Sequence, residues 1–244
     1  MEQKNHFVFI IPFRNVQDYI GQCANSLINQ TYQNWTAIFC DDCSNDYTLS
    51  RIPEDSRFKI RKNSERVTAL PNIAYALLQE EYHKEDIICM LDGDDFLLDN
   101  NSLMKINDLY SDESTLLTYG QYTTGNAIGH CREMDAEYIE NIRGSQWYAS
   151  HLKTFKYKLF QEFLKQDSEL SSYKDNDGNF YQMTYDVAMM LPLIEIAGHK
   201  NIKFCSEPVY YYRFHPNNDH VINIHLQTSI EKEIWLKPKF KNIF

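Results

Sequence analysis

The chain predicts an α/β protein on a Rossmann-like, mostly parallel central sheet with helices on both faces, and three observations carry that reading. Short apolar runs recur at Phe7-Val8-Phe9-Ile10-Ile11, Trp35 to Cys40 and Ile87-Ile88-Cys89-Met90-Leu91. Runs of that length suit strands buried on both faces. Apolar residues at helical spacing lie between them, the β-α-β alternation of a parallel sheet. Each run stops at a polar cluster: Pro12-Phe13-Arg14-Asn15, Asp41-Asp42, and Asp92-Gly93-Asp94-Asp95. Parallel strands carry all three clusters to one sheet edge, where open α/β sheets bind ligands.

The elements follow in order. Phe7 to Ile11 is a strand ended by Pro12. Val16, Tyr19, Ile20, Cys23, Leu27 and Ile28 then recur as one face of a helix, with Asn15 at the N-cap position and Asp18 in the first turn. Trp35 to Cys40 is the second strand and Phe58 to Arg61 a third. Leu70, Ile73, Ala74, Leu77 and Leu78 make another helix, with Pro71 near its start. Ile87 to Leu91 is the next strand. Residues 111–150 are polar and mixed, with turn signals such as Thr124-Gly125-Asn126. Leu152, Phe155, Leu159, Phe160, Phe163 and Leu164 predict an amphipathic helix. Residues 166–181 read as loop. Tyr185 to Ala197 reads as a helix stopped by Gly198 and kinked by Pro192. Lys203 to Phe214 is extended. Residues 215–244 are polar and poorly periodic, and the tail Trp235 to Lys241 reads as a solvated, frayed terminus, with a membrane-surface contact as the alternative.

At 244 residues the chain is one large domain, or one with a small appendage. Its 43% hydrophobic content suffices for a core, and 17 tyrosines imply many half-buried polar rings. A net charge of −10 weakens nucleic acid as a partner, because phosphate binding wants a basic surface. With neither a transmembrane run nor a signal peptide, a cytoplasmic location is expected. The six cysteines include a lone C-x-x-C at Cys40 and Cys43, with no second pair to complete a zinc site, so they read as reduced thiols. Sequons at Asn29, Asn34 and Asn100 read as accidental.

Three carboxylates in the four positions Asp92 to Asp95 repel one another unless a cation or solvent relieves them. A hard divalent ion takes such oxygen ligands and keeps places for substrate phosphates; a solvated acidic turn is the plain alternative. Asp41-Asp42 reads either as an Asp-rich turn or as a carboxylate accepting from a base N–H or a ribose hydroxyl.

These residues resemble a known family. Ile10-Ile11-Pro12-Phe13-Arg14-Asn15, then Ser26-Leu27-Ile28-Asn29-Gln30-Thr31-Tyr32-Gln33-Asn34-Trp35, then Asp41-Asp42-Cys43-Ser44-Asn45-Asp46 resemble the N-terminal signature of family 2 glycosyltransferases. Leu91-Asp92-Gly93-Asp94-Asp95 looks like that family's D-x-D motif. The likeness covers residues 6–100 and continues weakly through Tyr185-Asp186 and Tyr211-Tyr212-Arg213-Phe214-His215. It implies a single GT-A catalytic domain over 1–244, with a nucleotide-sugar-binding half at 1–100, an acceptor-binding half at 101–215 and a tail at 216–244. It further implies a nucleotide-sugar donor, UDP-linked first, a divalent Mn²⁺ or Mg²⁺, and a glycan, lipid-linked or protein acceptor.

Residue by residue, the resemblance gives Asp42 the nucleobase, commonly uracil N3–H, and sets Pro12, Arg14 and Asn15 along the nucleoside. Asp92 matches the ribose and metal side of D-x-D, and Asp94 its metal ligand. Asp186 matches the catalytic base, and Tyr185 replaces the acid that usually precedes it, on the acceptor side. His215 would contact diphosphate or metal, or else is a packing histidine. Trp147, Tyr148 and His151 would line an acceptor groove through aromatic faces, or simply pack in the core. Cys43 stands where Gly is common, and Asn63-Ser64-Glu65 lacks the family's Gly, which leaves the roles of Arg61, Lys62 and Arg66 open. The rival readings are a nucleotidyltransferase, which would want a Gly-rich basic phosphate loop near the first strand, and a catalytically idle nucleotide-sugar-binding domain.

Overall fold

The computed structural model describes residues 4–215 and 223–244. Its centre is an eight-stranded sheet. Strands β1 (Phe7–Phe13), β2 (Trp35–Asp41), β3 (Phe58–Lys62) and β4 (Ile87–Met90) are parallel to one another, with β1 between β2 and β4. The sheet continues through β5 (Phe96–Leu97), β6 (Leu117–Thr123), β7 (Lys153–Lys156) and β8 (Ile202–Tyr211), in the order β3-β2-β1-β4-β7-β6-β8-β5. β7 runs antiparallel to both β4 and β6, and β6 runs parallel to β8.

The alternation of side chains along β1 divides the core. Phe7, Phe9, Ile11 and Phe13 face one way, against α1 (Ile20–Ile28) and α3 (Ser102–Leu109). Val8 and Ile10 face the other, against α2 (Ala69–Gln79), α5 (Tyr157–Gln166) and α6 (Tyr185–Ala197). A strand buried on both faces has no polar side to show, which is why these segments read as unbroken apolar runs. A short helix, α4 (Ala136–Glu140), and a last one, α7 (Ile224–Leu236), are the other α-helices of the described residues. No helix among the described residues is long and apolar enough to cross a membrane, and all six cysteines are free thiols.

The second half departs from expectation in three places. Residues 111–150 contain β6, whose Tyr119 is buried, as well as α4. Leu152 and Phe155 do not start a helix: Lys153–Lys156 is strand β7, and α5 begins at Tyr157. Pairing of Phe155 with both Ile88 and Leu117 overrides the local helical spacing. α6 keeps the expected span, Tyr185 to Ala197 with Gly198 at its end, and runs through Pro192 as one element.

The tail is not frayed either. α7 buries Ile230 and Ile234, and Trp235 packs half-buried against the core. Arg143 donates to the carbonyls of Ile234, Trp235, Lys237 and Pro238, satisfying the end of α7. The same guanidinium holds Glu195 of α6 in a two-pronged pair at 2.6 and 2.9 Å. Residues 216–222 of the expected tail lie outside the described residues.

Candidate functional site

The three polar clusters meet as the parallel strands require, at the carboxyl edge of β1, β2 and β4. They line a cleft of about 520 Å³. Its other contributions come from the start of β7, the first turn of α6, the end of β8 and Gln227 of α7.

On the β1–β2 side the loops are tied to each other. Arg14 Nη1 donates to the carbonyls of Asp42 (2.7 Å) and Cys43 (2.6 Å), which fixes the turn after β2. Asn15 does not cap α1, which starts at Ile20. Its backbone N–H donates to Ser44 Oγ, and its Oδ1 accepts from the Asn45 N–H. Asp41 Oδ1 accepts from the Ser44 N–H in the turn, while its buried Oδ2 has no partner among the described residues, and Asp42 lines the cleft. Asp42 Oδ1 accepts from the Val67 N–H (2.7 Å) and Asn63 Nδ2 (3.3 Å), and Oδ2 accepts from the Thr68 N–H (3.0 Å). With two lone pairs per oxygen, one acceptor position remains on Oδ2. Arg66 lies 3.9 Å from that oxygen.

The loop after β4 needs its glycine. A Cβ on Gly93 would sit 2.5 Å from Cβ of Phe13, so only glycine lets the acidic loop pass this close to β1. The three carboxylates then diverge. Asp95 is buried, accepting from the Tyr210 hydroxyl (2.8 Å) and the Arg213 N–H (2.7 Å). Burial, then Asp94 and Asp92, push its pKa well up. Asp94 Oδ2 meets His215 Nε2 at 2.7 Å, and that ring stacks on Tyr19 at 5.1 Å. Arg213 Nε donates to the Asp94 carbonyl, so Arg213 pins this loop. Asp92 Oδ1 accepts from the Tyr185 hydroxyl at 2.6 Å. Burial pushes the Asp92 carboxyl up to about 6, and Lys153 is the strongest charge opposing that rise.

Asp186 stands in the first turn of α6 and lines the same cleft as Asp94. Three of the non-glycine residues at positive φ also line it: Asn15 (51°), Thr68 (76°) and Thr184 (61°). Left-handed backbone is costly for a β-branched residue, and such strain gathers where a ligand site dictates the loop.

The structure therefore brings Pro12, Arg14, Asn15, Asp42, Asp92, Asp94, Tyr185, Asp186 and His215 to one cleft. It does not bring Trp147, which packs half-buried against the larger core cluster. Tyr185 lines the cleft, and its hydroxyl donates to Asp92. Sequence reasoning missed Lys153. This residue is fully buried, lines the cleft, and lies beneath the Tyr185 ring at 5.1 Å. The only available signal was a lysine beginning an apolar segment, and a helical assignment hid it. Thr68, Gln182, Tyr212 and Gln227 were missed as well.

Among the described residues no three His, Cys, Asp or Glu side chains converge tightly enough to hold a metal ion unaided. Asp94 and His215 are nevertheless ligands of the right kind, side by side at the cleft. A divalent ion there would complete its shell with water and substrate oxygens, as such ions commonly do.

The sequence profile of Glycosyl transferase family 2 matches residues 8–167. Among curated proteins, the chain is 32% identical over 115 residues to the UDP-Glc:alpha-D-GlcNAc-diphosphoundecaprenol beta-1,3-glucosyltransferase WfgD of Escherichia coli, across 46% of this chain and 44% of that one. It is 28% identical over 149 residues to an uncharacterized glycosyltransferase of Haemophilus influenzae, across 57% of each. The chain thus spans about half the length of these relatives. Among solved structures, S. aureus TarS 1-349 superposes with a TM-score of 0.64 at 18% identity, covering 86% of this chain and 61% of that one. The mannosyltransferase PcManGT from Pyrobaculum calidifontis, in complex with GDP-Man and Mn²⁺, superposes with a TM-score of 0.61 at 15% identity, covering 91% and 61%. At these identities the structural likeness speaks for the fold.

Proposed function

The chain belongs to glycosyl transferase family 2 and has the GT-A fold, and from that premise we propose that residues 1–244 form one catalytic domain that moves a sugar from a nucleotide-sugar donor, UDP-linked first, to an acceptor hydroxyl with inversion. The observation that carries this reading is the single cleft in which Asp42, Asp94 and Asp186, contributed by three separate elements, face a common space. A complex of TarS 1-349 with UDP-GlcNAc and the PcManGT complex with GDP-Man and Mn²⁺ support a nucleotide-sugar donor.

In this reading the base end of the donor lies against Asp42. Its one remaining acceptor position suits uracil, whose N3 carries a proton, over cytosine, whose N3 does not. Asp94 and His215 would hold Mn²⁺ or Mg²⁺, which when bound supplies Lewis-acid stabilisation of the departing diphosphate. Tyr185 fixes the orientation of Asp92 through its hydroxyl. An acceptor hydroxyl is a weak nucleophile near neutral pH, and Asp186 takes its proton as attack proceeds. Attack opposite the leaving group inverts the anomeric carbon and requires no second nucleophilic carboxylate. The name of the E. coli relative favours a lipid-linked acceptor over a free glycan or a protein, which would set the reaction at a membrane surface.

A thermal-shift panel of nucleotide sugars with Mn²⁺ tests the reading. A true donor at about 100 times its Kd should stabilise the protein by about 2.7 kcal/mol. A well-folded chain that no nucleotide or nucleotide sugar stabilises would overturn it.

A further inference from the structure

Lys153 has no place in the chemistry above, yet it is a buried ammonium in the cleft wall. It is fully buried, and its Nζ has no hydrogen-bond partner among the described residues. An ammonium out of water without a partner is expensive, and such a group is kept where something else pairs with it. Two residues earlier, His151 repeats the pattern. It lines the same cleft, is buried, and its Nδ1 also has no hydrogen-bond partner. Its ring stacks on Tyr210 (4.4 Å) and Tyr212 (5.5 Å). Two buried polar atoms without partners, both in the wall of one polar cleft, mark the place of a ligand group.

The neighbours of Lys153 define that group. The β4–β7 register sets Lys153 opposite Met90, two residues before Asp92. A group received between this ammonium and the Asp92 carboxylate must accept from the first and donate to the second. A hydroxyl does both. A carboxylate or phosphate would meet Asp92, Asp94 and Asp186 in the same cleft. The four-carbon lysine stem is flexible enough to follow a ligand oxygen arriving beside Asp92.

We propose that Lys153 and His151 form the subsite for the transferred sugar, with Lys153 donating to a sugar hydroxyl that in turn donates to Asp92. This rests on the nucleotide-sugar reading and adds to it the residues that recognise the sugar.

The test is calorimetry with UDP and with UDP-glucose, UDP-galactose and UDP-GlcNAc, in Mn²⁺, on the native chain and on Lys153→Met. Loss of a hydrogen bond to a charged group should weaken the preferred UDP-sugar by about tenfold or more and leave UDP unchanged. Met fills the space of the lysine stem, so the variant should stay folded. A purely structural lysine would instead give equal losses for UDP and UDP-sugar. That result overturns the proposal, as does a variant that binds every ligand like the native chain. His151→Phe keeps the stacking on Tyr210 and Tyr212, and should show the same selective loss even if Lys153→Met fails to fold. If the native chain binds none of the four ligands, the UDP-sugar reading itself falls, and the subsite falls with it.

Discussion

On the β1–β2 side of the cleft, Arg14 and Asp42 each hold several protein partners. On the β7 side, Lys153 and His151 present buried atoms with none. The loops of the first wall are tied to each other by hydrogen bonds before any ligand arrives, and its unmet atoms are Asp41 Oδ2 and Thr68 Oγ1, which have no partner among the described residues. On the proposed function the first wall takes the nucleotide, and the second, with the unmet atoms of Lys153 and His151, takes the sugar and its acceptor. The second wall also depends on distant support: α6, which bears Asp186, is joined to α7 through the Arg143–Glu195 pair.

The largest expected effect probes that support. Both oxygens of Glu195, whose side chain is fully buried, are held by Arg143. Arg143→Ala leaves that charge buried and should cost about 3–5 kcal/mol in urea unfolding. A loss below 1 kcal/mol, within the range of exposed pairs, would mean that α6 and α7 do not need the pair.

Next in size is Asp94→Ala. Even outer-shell losses weaken metal sites by roughly 10–100-fold, so loss of the ligand proposed at Asp94 should cost about a hundredfold or more in Mn²⁺-assisted donor binding while the fold survives. Metal dependence that persists undiminished in titrations of the variant would remove Asp94 from the metal site.

Asp42→Asn probes the first wall. It should weaken UDP by roughly 1.5–3 kcal/mol and leave CDP nearly untouched, if uracil N3–H makes the charged bond. Parallel losses for the two nucleotides would instead report slackening of the 63–68 loop, whose Val67 and Thr68 N–H groups Asp42 holds.

The smallest effect is a pH dependence. Burial raises the Asp92 carboxyl to about 6, so the folded state holds this proton more tightly than the unfolded chain does. The stability linked to it is full below about pH 4 and is lost as pH rises through about 6, a decline of roughly 1–3 kcal/mol. Asp92→Asn should flatten that part of a urea-midpoint profile. An identical profile in the variant would assign the decline to other groups.

How much of this was legible differs between the walls for a physical reason. β1, β2 and β4 are buried on both faces, so their apolar runs and abrupt polar endings stand out, and parallel geometry alone gathers Arg14, Asp42 and Asp94. Asp186 was legible because the family resemblance singled out the Tyr185-Asp186 pair. Lys153 was not legible. The segment around it spaces apolar residues like a helix, and only pairing with β4 and β6 makes Lys153–Lys156 a strand. α7 hid for another reason. It buries Ile230 and Ile234 but exposes Ile224 and Leu236, which blurs the helical stripe. Trp147 looked like a sugar platform because an aromatic ring carries the same signal in a core as in a groove.

On the proposed function Asp186 is the proton acceptor, and the donor is held by residues other than Asp186. The most direct measurement is turnover and donor affinity for Asp186→Asn, which keeps the shape and removes the base. Turnover should fall by about 10²–10⁴-fold with donor Kd nearly unchanged. Near-native turnover in that variant, or a donor Kd that rises as steeply as turnover falls, would contradict it.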